Sequence, residues 1–284
     1  MRVLFATDGA DPSVQAGELL GRLADRTRTQ VVVLSVNDFD VAMRSARERG
    51  QYSAEAGHEV ARRAADLGAE ALLEAGIATV ETRVEDGDEA SEIVHAAEHD
   101  GFELVVVGTG KERWLDTVVL GSVSSSVVHA SPCPVLVVHR APEADRAIRV
   151  LVGADGSEGS SHAVAAFAEL ADPERCAVTV ITVAAPPAEP RGGAPAETDV
   201  DAEVADDARR SVDAAATVLT DAGFRVETEV VSGNSGTVLL ERAERLHADL
   251  VVVGARGLGH FRAKVLGSVS ERVLRKARAT LVGR

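Results

Sequence analysis

Aromatic residues are scarce in this chain. They make up 3% of 284 residues, with one Trp, one Tyr and six Phe. Hydrophobic content is nonetheless an ordinary 45%, so a core of normal size must be built from Val, Leu, Ile and Ala. Lysine is almost absent: of 30 basic residues only Lys111, Lys264 and Lys276 are lysines, and 45 acidic residues bring the net charge to −15. A chain this acidic lacks the basic face that counterion release requires, which argues against nucleic acid or an anionic membrane as partner. Acid excess with little Lys suits a salt-rich cytoplasm or a GC-rich genome, and both origins stay open. The two cysteines, Cys133 and Cys176, lie far apart with no C-x-x-C. Buried, reduced thiols are expected rather than a disulfide framework or a thiolate metal site. No apolar run approaches the ~18 residues of a membrane span, and the opening MRVLFATD reads as a strand, not a signal peptide. A cytoplasmic location is expected. Also missing are a G-x-S-x-G elbow, a Walker A loop and a G-x-G-x-x-G after a strand, so nucleophilic catalysis finds little support.

The most informative stretch runs from Leu250 to Leu274. Leu250 to Val253 is a short apolar run of the kind a buried parallel strand needs. At Gly254 it breaks into a loop carrying Gly257 and Gly259, then resumes as Gly267-Ser268 before the helically spaced Val269, Val273 and Leu274. Strand, glycine loop and Gly-Ser at a helix start form the layout of an anion site. Glycine lets backbone N–H groups approach a phosphate, the helix N-terminus favours negative charge, and a Ser there can cap and donate its hydroxyl. A nucleotide-phosphate site is expected.

The chain repeats itself. Asp8-Gly9 recurs as Asp155-Gly156 and Val36 as Val183, both 147 residues on; Gly108 recurs as Gly254 and Gly121-Ser122-Val123-Ser124 as Gly267-Ser268-Val269-Ser270, both 146 residues on. Each copy reads β-α-β-α-β-α-β-α-β, which predicts an α/β fold with two tandem, doubly wound, five-stranded, mostly parallel sheets. The predicted domains are residues 1–141 and 147–284, joined by the polar segment Arg140 to Ala147. A Pro- and Gly-rich insert, Ala184 to Asp201, follows the second strand of the second copy. The final strand of that copy, within Thr280 to Arg284, is expected to be short. Ligands of such sheets bind beyond the carboxyl ends of the strands, where Asp8, Val36, Gly108 and their copies fall.

These residues resemble the universal stress protein family, as a tandem two-domain member, over nearly the whole chain. Gly254, Gly257 and Gly267-Ser268 match the G-x2-G-x9-G-[ST] motif of its ATP-binding members. The resemblance implies a Rossmann-like, adenine nucleotide α-hydrolase-like fold and ATP, with Mg²⁺, as ligand. It also implies that the Asp lies by the adenosine, the Val backbone reads adenine, and the glycines and Ser hold phosphates. Carried over, the second copy's site is Asp155, Val183, Gly254, Arg256, Gly257, Gly267, Ser268 and Val269. The first copy's is Asp8, Val36, Gly108, Gly110, Lys111, Gly121, Ser122 and Val123. There the second glycine position is Lys111, with Gly110 one residue earlier. A lysine can neutralise a phosphate as a point charge, or its side chain can fill the groove a glycine leaves open.

Plainer readings stand beside these. Asp-Gly is turn chemistry, and Gly-Ser can be a helix cap over a tight turn. His95-Ala96-Ala97-Glu98-His99 matches H-x-x-E-H, but the equivalent positions in the second copy are Glu241 and Arg245, so a solvated helix face is expected there rather than zinc. His260 lies in the second glycine loop, with phosphate contact and plain exposure both open. Asp199 to Asp207 is expected to be a solvated helix start. The functional expectation is an ATP-binding stress-response regulator, not an enzyme beyond slow ATP hydrolysis. Its two repeats would pair as an intramolecular pseudo-dimer, with a homodimer left open. The alternatives are a nucleotide-free dimerisation scaffold of the same family and a nucleotidyl-transferring enzyme, for which the H-x-G-H or S-G-G-x-D-S motif after the first strand is lacking.

Overall fold

The computed structural model describes residues 1–38, 54–109, 113–114, 117–118, 120–143, 146–184, 198–257 and 266–284. The first half runs β1 (Arg2–Ala6), α1 (Asp11–Leu23), β2 (Gln30–Asn37), α2 (Ala54–Glu74), β3 (Thr79–Asp86), α3 (Glu89–His99), β4 (Leu104–Gly108), a small ribbon of β5 (Arg113–Trp114) and β6 (Thr117–Val118), α4 (Ser122–Ala130) and β7 (Val135–Val138). The second half runs β8 (Ile148–Gly153), α5 (Glu158–Leu170), β9 (Cys176–Ala184), α6 (Thr198–Asp221), β10 (Val226–Ser232), α7 (Ser235–Arg245), β11 (Leu250–Gly254), α8 (Ser268–Leu274) and β12 (Ala279–Gly283). The β5–β6 ribbon has no counterpart in the expected pattern.

Each half builds its five-stranded parallel sheet, and the two are continuous. The strand order is β10-β9-β8-β11-β12-β7-β4-β1-β2-β3. Every neighbouring pair is parallel except β12 and β7, which run antiparallel with Leu281 opposite Leu136 and Ala279 opposite Val138. Here β12 is not the clipped strand expected: its five residues are all buried, one more than β7 has. Pairing with β7 on one side and β11 on the other satisfies its backbone along its length. The outer strands β3 and β10 carry exposed charged residues at Glu81, Asp86 and Glu227, with Glu85 and Glu229 half-buried, a pattern that discourages further edge pairing.

The halves share one core. Phe5, Leu19, Leu20, Leu72 and Leu136 of the first half and Val150, Phe167, Leu219 and Leu281 of the second form a single buried cluster. It places α1, α2, α5 and α6 on one face of the sheet. On the other face Ile93, Val105, Val127 and Val128 cluster with Leu274 and Val282 of the second half, while Leu151, Ile181, Leu239 and Val273 form a third cluster. The ends of α1 and α5 meet reciprocally: Asp25 N–H donates to Leu170 O (2.7 Å) and Asp172 N–H to Leu23 O (2.9 Å). The two repeats therefore pair within the chain. The connecting segment is pinned by Arg22, whose guanidinium donates to Pro142 O at 2.7 Å and Arg146 O at 3.2 Å. Arg146 in turn makes two 2.6 Å bonds to the fully buried Asp249.

Among the described residues no helix is long and apolar enough to cross a membrane. Both thiols are free, with Cys176 buried and Cys133 half-buried. Of the acidic run, Ala205 to Asp207 are exposed on α6, and the side chains before them lie outside the described residues. Most of the Pro-rich insert lies outside the described residues.

Candidate functional site

In each half the strand order reverses between the first and fourth strands, β1 and β4 or β8 and β11. Crossovers leave in opposite directions from such a point, so a crevice opens beyond the strand ends. Because β7 and β12 are antiparallel, the two crevices face opposite ends of the continuous sheet.

The first strand of each half ends in a tight Asp-Gly turn. Gly9 has φ of 72° and Gly156 of 75°, the left-handed region that glycine enters without strain. Asp8 Oδ1 accepts from Ala10 N–H (2.9 Å) and from the Ser13 hydroxyl (2.7 Å). Asp155 Oδ1 accepts from Ser157 N–H (3.0 Å) and the Ser157 hydroxyl (2.6 Å). Both aspartates thus form turns, as the plainer reading had it, and both also line crevices. The second carboxylate oxygen of Asp155 is directed at Gly257, where an added Cβ would sit 2.6 Å from it. A side chain at 257 would have to displace that oxygen.

The fourth-strand glycines also have a packing role. A Cβ on Gly254 would lie 2.5 Å from Ser160 N, and one on Gly108 would lie 2.5 Å from the Pro12 carbonyl group. These glycines let the strand end press against the first turn of α5 or α1, so they serve helix–strand packing. At Gly267 an added Cβ meets nothing closer than 3.4 Å.

Gly121 and Gly267, not the serines after them, are the N-caps of α4 and α8, and neither supplies a side-chain cap. Ser122 and Ser268 are the first helical residues and are exposed. The next serine in each motif, which the sequence reading did not assign to the site, anchors the turn. Ser270, 3% exposed, donates to Gly254 O at 2.6 Å, and Ser124 to Gly121 O at 3.1 Å. Its signal was in the sequence, as the last residue of the repeated Gly-Ser-Val-Ser.

The second crevice is a cleft of about 680 Å³, within the range of small-molecule sites. All eight residues expected there line it: Asp155, Val183, Gly254, Arg256, Gly257, Gly267, Ser268 and Val269. Ile181, Leu239 and Val253 supply its apolar floor. The first crevice is smaller, about 180 Å³, and gathers Asp8, Val36, Gly108, Gly121, Ser122 and Val123. Gly110, Lys111 and His260 lie outside the described residues. The first cleft also holds Glu89, which the sequence reading missed. Burial, with Asp8, Asp38 and Asp88 nearby, holds its carboxyl above the usual range.

Asp155 is the only carboxylate lining the second cleft among the described residues. That donor set suits a Mg²⁺ that keeps its waters and takes its other ligands from phosphates. Among the described residues no group of three or more His, Cys, Asp and Glu side chains is placed to hold a metal. His95, Glu98 and His99 are exposed. The two imidazoles lie 4.2 Å apart, and His99 Nδ1 is 2.9 Å from the His95 carbonyl.

Comparison with known proteins agrees with this architecture. The sequence profile described as "Universal stress protein family" matches residues 1–139 and 148–282. A universal stress protein of Mycobacterium tuberculosis is 31% identical over 227 residues, 75% of this chain and 71% of its own length. One of Mycolicibacterium smegmatis is 32% identical over 209 residues, 70% of this chain and 66% of its own, so the chain spans slightly under two thirds of that relative. The crystal structure of a universal stress protein from Archaeoglobus fulgidus superposes over 100% of this chain and 98% of its own, with a TM-score of 0.63 at 22% identity, and so shares the fold. The chain belongs to the universal stress protein family and carries two of its domains in tandem.

Proposed function

We propose that this protein is an ATP-binding regulator of the stress response, with the second cleft as its principal nucleotide site. The observation that carries this reading is convergence: eight residues spread from Asp155 to Val269 line one cleft at the switch point of the sheet. The adenine would lie along the apolar wall at Val183. The ribose would meet Asp155, whose Oδ1 is committed to the turn while Oδ2 faces Gly257. The phosphates would lie over Gly257, Gly267 and the first turn of α8, where uncapped N–H groups and the helix dipole favour negative charge, beside Arg256. Magnesium would be held mainly by the phosphates and water.

Asp155 serves the turn, and the other described polar residues of the cleft supply no general base. The role proposed is therefore binding and signalling through nucleotide state, with hydrolysis at most slow. The intramolecular pairing of the repeats leaves no need for a second chain to complete either cleft. A thermal-shift assay tests the reading. Saturating ATP with Mg²⁺ at about 100 times its Kd should stabilise the protein by about 2.7 kcal/mol. Gly267→Val, whose Cβ has room in the fold but whose bulk enters the phosphate position, should fold normally and lose that shift. An unchanged shift in the variant would overturn the assignment.

A further inference from the structure

We propose that the first cleft recognises the sugar of a ribonucleoside through a pair of carboxylates, Asp8 and Glu89, with Glu89 as the residue that makes it select ribose over deoxyribose. This rests on the nucleotide reading above and extends it to the first cleft.

The base-side walls of the two clefts correspond: Leu34 with Ile181, Val36 with Val183, and Ile93 with Leu239. Each cleft also presents the aspartate of the turn after its first strand. They differ where the next helix begins. α3 and α7 start alike, with Asp88 accepting from Ser91 N–H at 2.9 Å and Asn234 from Thr237 N–H at 3.2 Å. The residue after the cap lines the cleft in both halves, and it is Glu89 in one and Ser235 in the other.

Among the charges acting on Glu89, that of Asp8 is the strongest, followed by Asp38 and Asp88. Glu89 therefore stands at the ribose end, in a cleft walled by Leu34, Val36 and Ile93. The turn takes up Asp8 Oδ1, through Ala10 N–H and the Ser13 hydroxyl. Among the described residues no hydrogen bond reaches Asp8 Oδ2 or either carboxyl oxygen of Glu89.

A glutamate in a first turn complements the helix dipole, but it does so equally well from solvent. Here the side chain is half-buried among acids, so desolvation and like-charge repulsion both oppose its charge. Ionised carboxylates accept hydrogen bonds and donate none. The ligand that relieves this pair brings two adjacent donors, no negative charge at that point, and a flat apolar body for the wall. The vicinal hydroxyls of a ribose, with the base attached, are that ligand, and an acidic side chain on the ribose hydroxyl is how dinucleotide sites hold their sugar. A metal ion fits worse. It needs more oxygen ligands than two carboxylates against an apolar wall supply, and no third His, Cys, Asp or Glu is placed to help among the described residues. Ser235 is neutral and both donates and accepts, so the second cleft makes no such demand on the sugar.

The described residues lining the first cleft include no cation, so base and sugar carry the affinity and adenosine is the probe. Equilibrium dialysis of the intact chain tests the inference, with the second cleft filled by unlabelled ATP and Mg²⁺. Labelled adenosine should bind at one further site, and 2′-deoxyadenosine and 3′-deoxyadenosine should compete roughly tenfold less well, the loss of one hydrogen bond to a charged acceptor. Glu89→Ser should weaken adenosine by a similar factor and abolish the discrimination against at least one of the two analogues, while ATP binding at the second cleft stays as in the unaltered chain and reports an intact fold. Deoxy analogues that bind as tightly as adenosine would overturn the inference and leave the nucleotide reading standing. So would both discriminations surviving in Glu89→Ser, or no adenosine bound beside ATP. A chain that binds no ATP would overturn both.

Discussion

His139 Nε2 donates to the backbone carbonyl of Leu274, 2.6 Å away and in the opposite half of the molecule. His139 follows β7, and Leu274 ends α8, the helix whose first turn lines the second cleft. The imidazole's other nitrogen lies 2.9 Å from the hydroxyl of Thr109, which lines the first cleft. With a carbonyl at Nε2 that nitrogen carries the proton, and Nδ1 accepts from Thr109. The contact has a symmetric partner. Arg284, after β12, donates through its guanidinium to Val128 O on α4, the position equivalent to Leu274. Each half closes on the other's last helix.

A pH dependence follows. Burial holds the His139 imidazole below its ordinary range, opposed in part by the Leu274 carbonyl. Unfolded, it titrates near ~6.5, so below that pH the unfolded chain binds more protons and stability falls as pH drops. The loss levels off once pH passes below the lowered folded value. Asp25, held at about 2 chiefly by its hydrogen bond from Thr27, works in a separate acid window: its contribution is present above the usual aspartate range and is lost as pH falls through about 2. Urea unfolding at pH 7.5 and 5.5 should show a smaller drop in His139→Asn than in the unaltered chain. Equal drops would remove His139 as the source.

Glycines of the same motif should respond differently. Gly254→Ala forces a Cβ to within 2.5 Å of Ser160 N and should cost roughly 1–3 kcal/mol of stability, as overpacking does. Gly267→Ala meets no comparable obstacle and should leave stability within ~0.5 kcal/mol. Chemical denaturation of the two variants checks the contrast.

Removing the clamp on the linker should be costly. Arg146→Ala leaves the Asp249 carboxylate, 0% exposed, with the Arg149 N–H at 3.0 Å as its remaining partner in this group. A loss of roughly 3 kcal/mol is expected, read from the urea midpoint. Arg146→Lys should recover part of it, because the bidentate fork is lost while the charge is kept.

Thiol labelling should follow burial. The Cys176 thiol is pushed up to about 12, mainly by burial, and the Cys133 thiol is raised for the same reason. An aromatic disulfide reagent at pH 8 should label native protein slowly, half-buried Cys133 before Cys176, and both at once in denaturant. Faster labelling of Cys176 would contradict the packing of β9.

Much of this architecture was legible because the repeat fixes it. Asp8 and Asp155, or Gly121 and Gly267, are read twice, and the second reading confirms the first. The continuity of the sheet through β7 and β12 was not. Val135 to Val138 is apolar on both faces and Ala279 to Val282 nearly so, with only Thr280 polar, as any central parallel strand can be, and nothing in either run names its neighbour. The packing role of Gly254 was hidden for a related reason. A glycine needed by a helix residue 94 positions earlier looks the same in sequence as one needed by a phosphate. Glu89 could have been found by setting it against Ser235, but it sits in no motif.

The central claim is that the second cleft holds ATP. Calorimetric titration of the nucleotide-stripped protein with ATP and Mg²⁺, at low and high salt, tests it most directly. Saturable binding at about one ATP per chain, abolished by Gly267→Val, is the predicted result. No heat of binding in either salt, with the protein folded, would contradict it and leave a nucleotide-free scaffold of two paired domains.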